Sequence, residues 1–196
     1  MKILCLNPPF KTEYGRFSRT SRSPAITKSG TIYYPIWLCY VAGVLEEAGH
    51  DVMVIDSCAY EYDLEKTLQL VSKFRPEVSV LDTSTPSIYS DIKTGVEIKK
   101  LLPHSFVVLM GTHPSALPEE TLGINTAIDA IAVGEADYTI KELTQKISET
   151  DIQADNVSRE SILGTIDGLA FRTGKDICIN KPRDYIGNLD ELPFVS

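Results

Sequence analysis

The chain has 196 residues, 43% apolar and 23% charged, a composition that excludes a disordered polypeptide and leaves enough apolar mass for a core. Its net charge of −8 argues against a nucleic-acid binder, which would carry a basic surface. No apolar run approaches the roughly 20 residues that span a bilayer, and no secretory signal opens the chain, so a cytoplasmic protein is expected.

Lys2–Leu6 reads as a first strand, an unbroken β-favouring run of the kind buried on both faces. Asn7-Pro8-Pro9-Phe10 ends it, because two prolines cannot donate to a ladder. A long loop follows to Tyr34. It carries Lys11, Arg16, Arg19, Arg22 and Lys28 against a single Glu13. This basic patch is either a solvated face or a lid that meets an anionic or amide-rich ligand.

Pro35 opens a helix, where a missing N–H costs nothing. Trp37, Val41, Val44 and Leu45 recur on it at helical spacing, with Leu38 and Ala42 widening the stripe, and Gly49 caps its end. Trp37 and Tyr40 are expected in the core or in a pocket wall, rather than stacked on a cofactor. Asp51–Asp56 is the second strand, and Asp63 caps a helix running to Phe74. Val78–Leu81 is the third strand, Tyr89–Leu102 a helix stopped by Pro103, and Ser105–Met110 the fourth strand. A short helix at Pro118–Leu122, a fifth strand at Ala127–Val133 and a helix at Tyr138–Ser148 complete the alternation.

That alternation predicts an α/β fold, a doubly wound, flavodoxin-like (Rossmann-like) five-stranded parallel sheet in the order 2-1-3-4-5. Beyond it, Asp151–Ser161 reads as a polar loop. Gly168–Arg172 and Asp176–Asn180, flanking Thr173-Gly174-Lys175, read as a β-hairpin appendage. The expected division is a ligand-binding domain over residues 1–150, then hairpin and connector over residues 151–196.

In such a sheet ligands bind at the carboxyl ends of the strands. Four loops there are expected to form one pocket: Asn7, Pro8 and Pro9; Thr83, Ser84, Thr85 and Ser87; Gly111, Thr112, His113 and Pro114; and Gly134 with Glu135. A dinucleotide site needs glycines on the first turn, which has none. A flavodoxin-type phosphate loop needs the N–H donors that Pro8 and Pro9 lack. Asp82 alone does not make a phospho-acceptor cluster, and no nucleophile elbow is present. What remains is a slot lined by Thr83, Ser84, Thr85, Gly111 and Gly134, suited to a long tail inserted end-on beneath a broad face.

Asn7-Pro8-Pro9-Phe10, Tyr34-Pro35-Ile36-Trp37-Leu38, Gly49-His50-Asp51-Val52, Ser84-Thr85-Pro86-Ser87, Gly111-Thr112-His113-Pro114-Ser115, Val133-Gly134-Glu135 and Leu189-Asp190-Glu191-Leu192-Pro193-Phe194 follow one another in a recognisable order. Together they resemble the N-terminal cobalamin (B12)-binding domain of the B12-dependent radical S-adenosylmethionine enzymes. The resemblance implies a corrin ring over the strand ends and its nucleotide tail beside the sheet. Thr83, Ser84 and Thr85 would contact the tail or the corrin amides, Gly111 would admit close approach, and Gly134-Glu135 would close the far side. Thr112 stands where the family more usually has a second glycine.

The DxHxxG motif whose histidine ligates cobalt elsewhere is missing, which implies base-off cobalamin. His113, the only histidine in the expected pocket, is either a cobalt ligand or a structural or corrin-contacting residue. The resemblance also implies a C-terminal radical S-adenosylmethionine domain, with CxxxCxxC for a [4Fe–4S] cluster. Cys5, Cys39, Cys58 and Cys178 do not fit that pattern and read as reduced, mostly buried thiols. The chain is therefore read as a fragment of a methyltransferase- or cyclase-type enzyme that holds the cofactor and is not catalytic alone. The competing readings are a stand-alone ligand-binding or regulatory module without cobalamin, and a degenerate domain kept for docking.

Overall fold

The computed structural model describes residues 1–10, 15–19, 25–27, 30–149 and 156–195. The chain begins with β1 (Lys2–Asn7), and β2 (Arg16–Ser18) and β3 (Ala25–Thr27) then pair antiparallel as a separate two-stranded ribbon. Next come α1 (Ile36–Glu47), β4 (Asp51–Asp56), α2 (Leu64–Phe74), β5 (Val78–Thr83), α3 (Ile88–Leu101) and β6 (Phe106–Gly111). Two short helices, α4 (Thr112–Ala116) and α5 (Pro118–Ile124), lead to β7 (Ala130–Ala132) and α6 (Asp137–Glu149). After α7 (Asn156–Leu163) the hairpin β8 (Leu169–Thr173) and β9 (Asp176–Ile179) closes the fold, and one 3-10 turn lies at Leu189–Glu191.

The main sheet runs β4-β1-β5-β6-β7-β8-β9. Its first five strands are parallel, in the expected order 2-1-3-4-5. The hairpin is no appendage: β8 pairs antiparallel with β7, Ile131 opposite Ala170, so the sheet has seven strands rather than five. The hairpin gives β7, only three residues long, a second neighbour.

Strand side chains alternate between two cores. Ile3, Cys5, Val78, Val80 and Val108 pack under Leu38, Val41, Ala42 and Leu45 of α1 and Ile140 and Leu143 of α6. Leu4, Leu6, Leu81, Val107 and Leu109 pack on the opposite face against Val71 of α2 and Ile88, Ile92 and Ile98 of α3. With both faces covered, β1 and β5 carry the mostly apolar runs that made them legible.

Several expectations are corrected. Trp37 is 62% exposed; the buried stripe of α1 passes through Leu38, Val41 and Leu45 and leaves the indole on the other side. The expected loop Asp151–Ser161 is overturned from residue 156 on, where Asn156–Leu163 is helical: Leu163 is buried in the core and Arg159 pairs with Asp129 at 2.8 Å. The rest of that expected loop, before residue 156, lies outside the described residues. Thr112–Ala116 is a helix rather than an open loop. No helix among the described residues is long and apolar enough to cross a membrane. Cys5, Cys39, Cys58 and Cys178 are all unpaired.

Candidate functional site

The strand order puts the topological switch point between β1 and β5, and the loops that leave these strands build the site. Asn7 ends β1 with its side chain 4% exposed; its amide N–H donates to Asp56 at the end of β4, 2.7 Å away. β5 runs two residues beyond the expected Leu81, which brings Asp82 and Thr83 into the ladder opposite Met110 and Gly111. After Thr83 the chain turns on a Ser87 N–H to Ser84 carbonyl bond of 3.0 Å and enters α3.

The centre of this edge is Arg19, placed at the end of β2. Of the basic patch, Lys11, Arg22 and Lys28 lie outside the described residues, and Arg16 makes a surface ion pair with Glu61 at 3.0 Å. Arg19 is buried, against the expectation of a solvated or ligand-covering cation. Its Nη1 donates to Asn7 Oδ1, to the Pro8 carbonyl at 2.9 Å and to Cys58 Sγ at 3.3 Å, and its Nη2 donates to Asp91 Oδ1. Its Nε–H has no partner among the described residues.

Asp91 collects the hydroxyls expected to face a ligand. Its Oδ2 accepts from Thr83 at 2.5 Å and from Ser87 at 2.6 Å, and Ser84 Oγ lies 3.0 Å from Ser87 Oγ. Burial pushes the Asp91 carboxyl up, and the Arg19 guanidinium and the Ser87 and Thr83 hydroxyls pull it back. Burial pushes the Arg19 guanidinium down, and Asp91, Cys58 and Asp82 hold it above its ordinary value. Asp82 is pushed up to about 7, first by burial, against the opposing pull of Arg19.

Away from this cluster, bonds join neighbouring loops across the carboxyl edge. His113, 9% exposed, approaches Thr85 Oγ1 through Nδ1 at 3.2 Å, so its partner is a hydroxyl rather than backbone or amide. Ser115 Oγ accepts from the Gly134 N–H at 3.0 Å. Glu135 accepts from the Ile186 N–H at 2.9 Å, which ties it to the connector. Pro8, Pro9 and Pro114 are buried, and Thr85, Thr112, Gly134 and Glu135 are exposed.

All thirteen expected residues thus lie along one edge of the sheet, at the ends of β1, β5, β6 and β7. Arg19, expected only as one cation of the basic patch, and Asp91, not expected at the site at all, organise the first two loops.

The fit to a large, amide-rich ligand can be judged from what the edge leaves unfilled. Gly134, at φ +79°, has open space where a Cβ would stand. Among the described residues the buried Arg19 Nε–H, and Asp137 Oδ1 beside the Gly134 loop, lack partners, one a donor and one an acceptor. A ligand carrying carboxamides can satisfy both. Gly111 is different: at φ +112° an added Cβ would lie 2.2 Å from the Thr83 carbonyl oxygen, so the protein's own chain takes up that space. Among the described residues no group of three or more His, Cys, Asp or Glu could hold a metal ion.

A doubly wound sheet with this edge and no glycine-rich first turn defines a ligand-binding domain of the flavodoxin-like class. Comparison with known proteins narrows it: residues 22–144 match the family model described as B12 binding domain, and the chain belongs to that family. It is 30% identical over 196 residues to an uncharacterized methyltransferase, PH0819, of Pyrococcus horikoshii, covering all of this chain and 38% of that protein. It is 26% identical over 159 residues to the anaerobic magnesium-protoporphyrin IX monomethyl ester cyclase of Cereibacter sphaeroides, covering 81% of this chain and 25% of that one. The chain therefore spans well under half the length of either relative.

Among solved structures it superposes on the cobalamin-dependent S-adenosylmethionine radical enzyme OxsB with aqua-cobalamin and S-adenosylmethionine bound. The TM-score is 0.70 at 12% identity, over 94% of this chain and 22% of that one. A likeness at that identity speaks for the fold. The expected B12-binding domain is borne out by the family match, and its fold is like that of the matching part of a cobalamin-dependent S-adenosylmethionine radical enzyme.

Proposed function

We propose that this domain binds cobalamin in the base-off form, with the corrin over the carboxyl ends of β1, β5, β6 and β7. The observation that carries the reading is the match of residues 22–144 to the B12-binding family on a chain whose expected site residues share one sheet edge. Asn7, Pro8 and Pro9 form the wall at β1, and Thr83, Ser84, Thr85 and Ser87 the wall at β5. Gly111, Thr112, His113 and Pro114 continue it at β6, and Gly134 and Glu135 complete it at β7. No DxHxxG motif is present to offer a lower cobalt ligand, and His113 is turned to Thr85. When bound, cobalamin supplies a carrier for a methyl group; the protein's part is to hold and orient it.

The domain serves a longer polypeptide, in which a C-terminal radical S-adenosylmethionine domain with a [4Fe–4S] cluster carries out a methylation or cyclisation. What supports this is the kind of protein it resembles and the small share of each that it spans. We also place the protein in the cytoplasm, where a reducing environment suits its four unpaired cysteines.

Equilibrium dialysis under reducing conditions tests the binding, with hydroxocobalamin as ligand and flavin mononucleotide as control. Stoichiometric retention of the corrinoid with the flavin washed through is expected. Folded protein that retains neither would remove the reading in favour of a degenerate domain.

A further inference from the structure

Tyr33, Tyr34 and Trp37 are all exposed on one short stretch, Trp37 at 62%, and aromatic rings gathered in water mark a surface that something covers. Leu38, Val41 and Leu45 supply the core-facing stripe of α1, so the indole takes no part in packing the sheet. Its place in the fold says what it meets. α1 ends at the amino edge, where the His50 N–H donates to the Leu45 carbonyl at 3.1 Å and the Asp51 N–H to the Met1 carbonyl at 3.0 Å. The first turn of the helix therefore stands at the carboxyl edge, beside the end of β1. The Tyr33 N–H donates to Ser18 Oγ at 3.1 Å, which ties the lead-in to the neighbour of Arg19. Helical side chains lean toward the N-terminus of their helix, so the Trp37 indole leans toward that same edge.

We propose that Trp37 walls the corrinoid site on the α1 side, its indole lying against the methyl-bearing rim of the corrin ring. This rests on the cobalamin reading and adds a residue to that site. A corrin with its amide arms is broader than one sheet is thick, so a ring laid over the strand ends overhangs the helices that flank them. The rim it turns outward carries methyl groups, and an indole offers them a broad, rigid apolar face. The nucleotide tail is out of reach: the buried stripe of α1 lies between the indole and the crevice beside the sheet.

Two ligands separate ring from tail. Dicyanocobinamide keeps the ring and lacks the nucleotide; hydroxocobalamin has both. Titrations of the wild type and Trp37→Ala should show both ligands weakened about tenfold, by similar factors, with Trp37→Phe close to wild type. Equal affinities in wild type and Trp37→Ala would overturn the assignment, and so would a loss confined to hydroxocobalamin, which would give the indole to the tail. Trp37 is the single tryptophan of the chain, so protein labelled with 5-fluorotryptophan has one 19F resonance to follow. Its shift between H2O and D2O is expected in the free protein and lost on saturation with dicyanocobinamide. A resonance that lacks this shift when free, or keeps it in the complex, would overturn the proposal. Where only hydroxocobalamin binds, the same loss is required in its complex. Wild type that binds neither corrinoid fails at the earlier step, the cobalamin reading.

Discussion

Arg19 and Asp91, 72 residues apart in the chain, form a buried ion pair that fastens the β2–β3 ribbon to the first turn of α3. Buried pairs gain little over apolar substitutes but are costly to break from one side. Asp91→Asn should therefore destabilise the protein by about 3–5 kcal/mol in urea unfolding, because a guanidinium is left buried against a neutral amide. The double variant Arg19→Met, Asp91→Leu should recover only part of that loss, because Thr83 and Ser87 then lack their acceptor and Asn7 and Pro8 their donor. A single variant within about 0.5 kcal/mol of wild type would show the pair to be open to water.

Asp82 gives the stability a pH dependence of unusual sign for a carboxylate. Its folded value of about 7 lies above the ordinary 3.8, so between them the folded state keeps a proton that the unfolded state has lost. Its contribution is complete near pH 4, declines as pH rises and is gone once pH passes about 7. Asp82→Asn has no such proton to lose. Its advantage over wild type in thermal unfolding should be absent near pH 4 and grow to at most about 4 kcal/mol above pH 7. A constant difference across that range would place the titration elsewhere.

Two glycines at positive φ should respond differently to alanine. At Gly111 the new methyl would sit 2.2 Å from the Thr83 carbonyl oxygen and 2.9 Å from Asp82, so the β5–β6 edge must move. A loss above about 3 kcal/mol is expected there. At Gly134 nothing lies within 4 Å, and only backbone strain of about 1 kcal/mol applies. Chemical denaturation of both variants checks the ordering, and equal losses would contradict it.

His113 is held by Thr85, and in the proposed cobalamin site it is not a cobalt ligand. His113→Ala should leave the absorption spectrum of the reconstituted corrinoid unchanged. A shift in the bands would identify the imidazole as a ligand.

The parallel core was legible because strands covered on both faces need apolar runs, unbroken in Ile3–Leu6 and interrupted only by the buried Ser79 in Val78–Leu81. The hairpin was legible from Gly174, at φ +58°, but its place beside β7 was not, since a turn signal names no neighbour. α7 was hidden because much of its stability is tertiary: Leu163 in the core and Arg159 on Asp129. α4 was hidden by its length and by Pro114 within it.

At the site, the loops were readable from their small residues and prolines, and their organiser was not. Nothing local distinguishes Arg19 from the other cations of its segment. The available signal was Asp91, which lies on the same face of α3 as Ile88 and Ile92. A carboxylate on a buried stripe calls for a cation from elsewhere in the chain.

The central claim is that this edge holds cobalamin with its nucleotide base detached from the metal. Electron paramagnetic resonance of the reconstituted domain, reduced to the Co(II) state, reads this directly. Cobalt bound to the protein without nitrogen superhyperfine splitting is predicted. A split spectrum from a coordinated base, or no cobalt retained by the folded protein, would contradict the account.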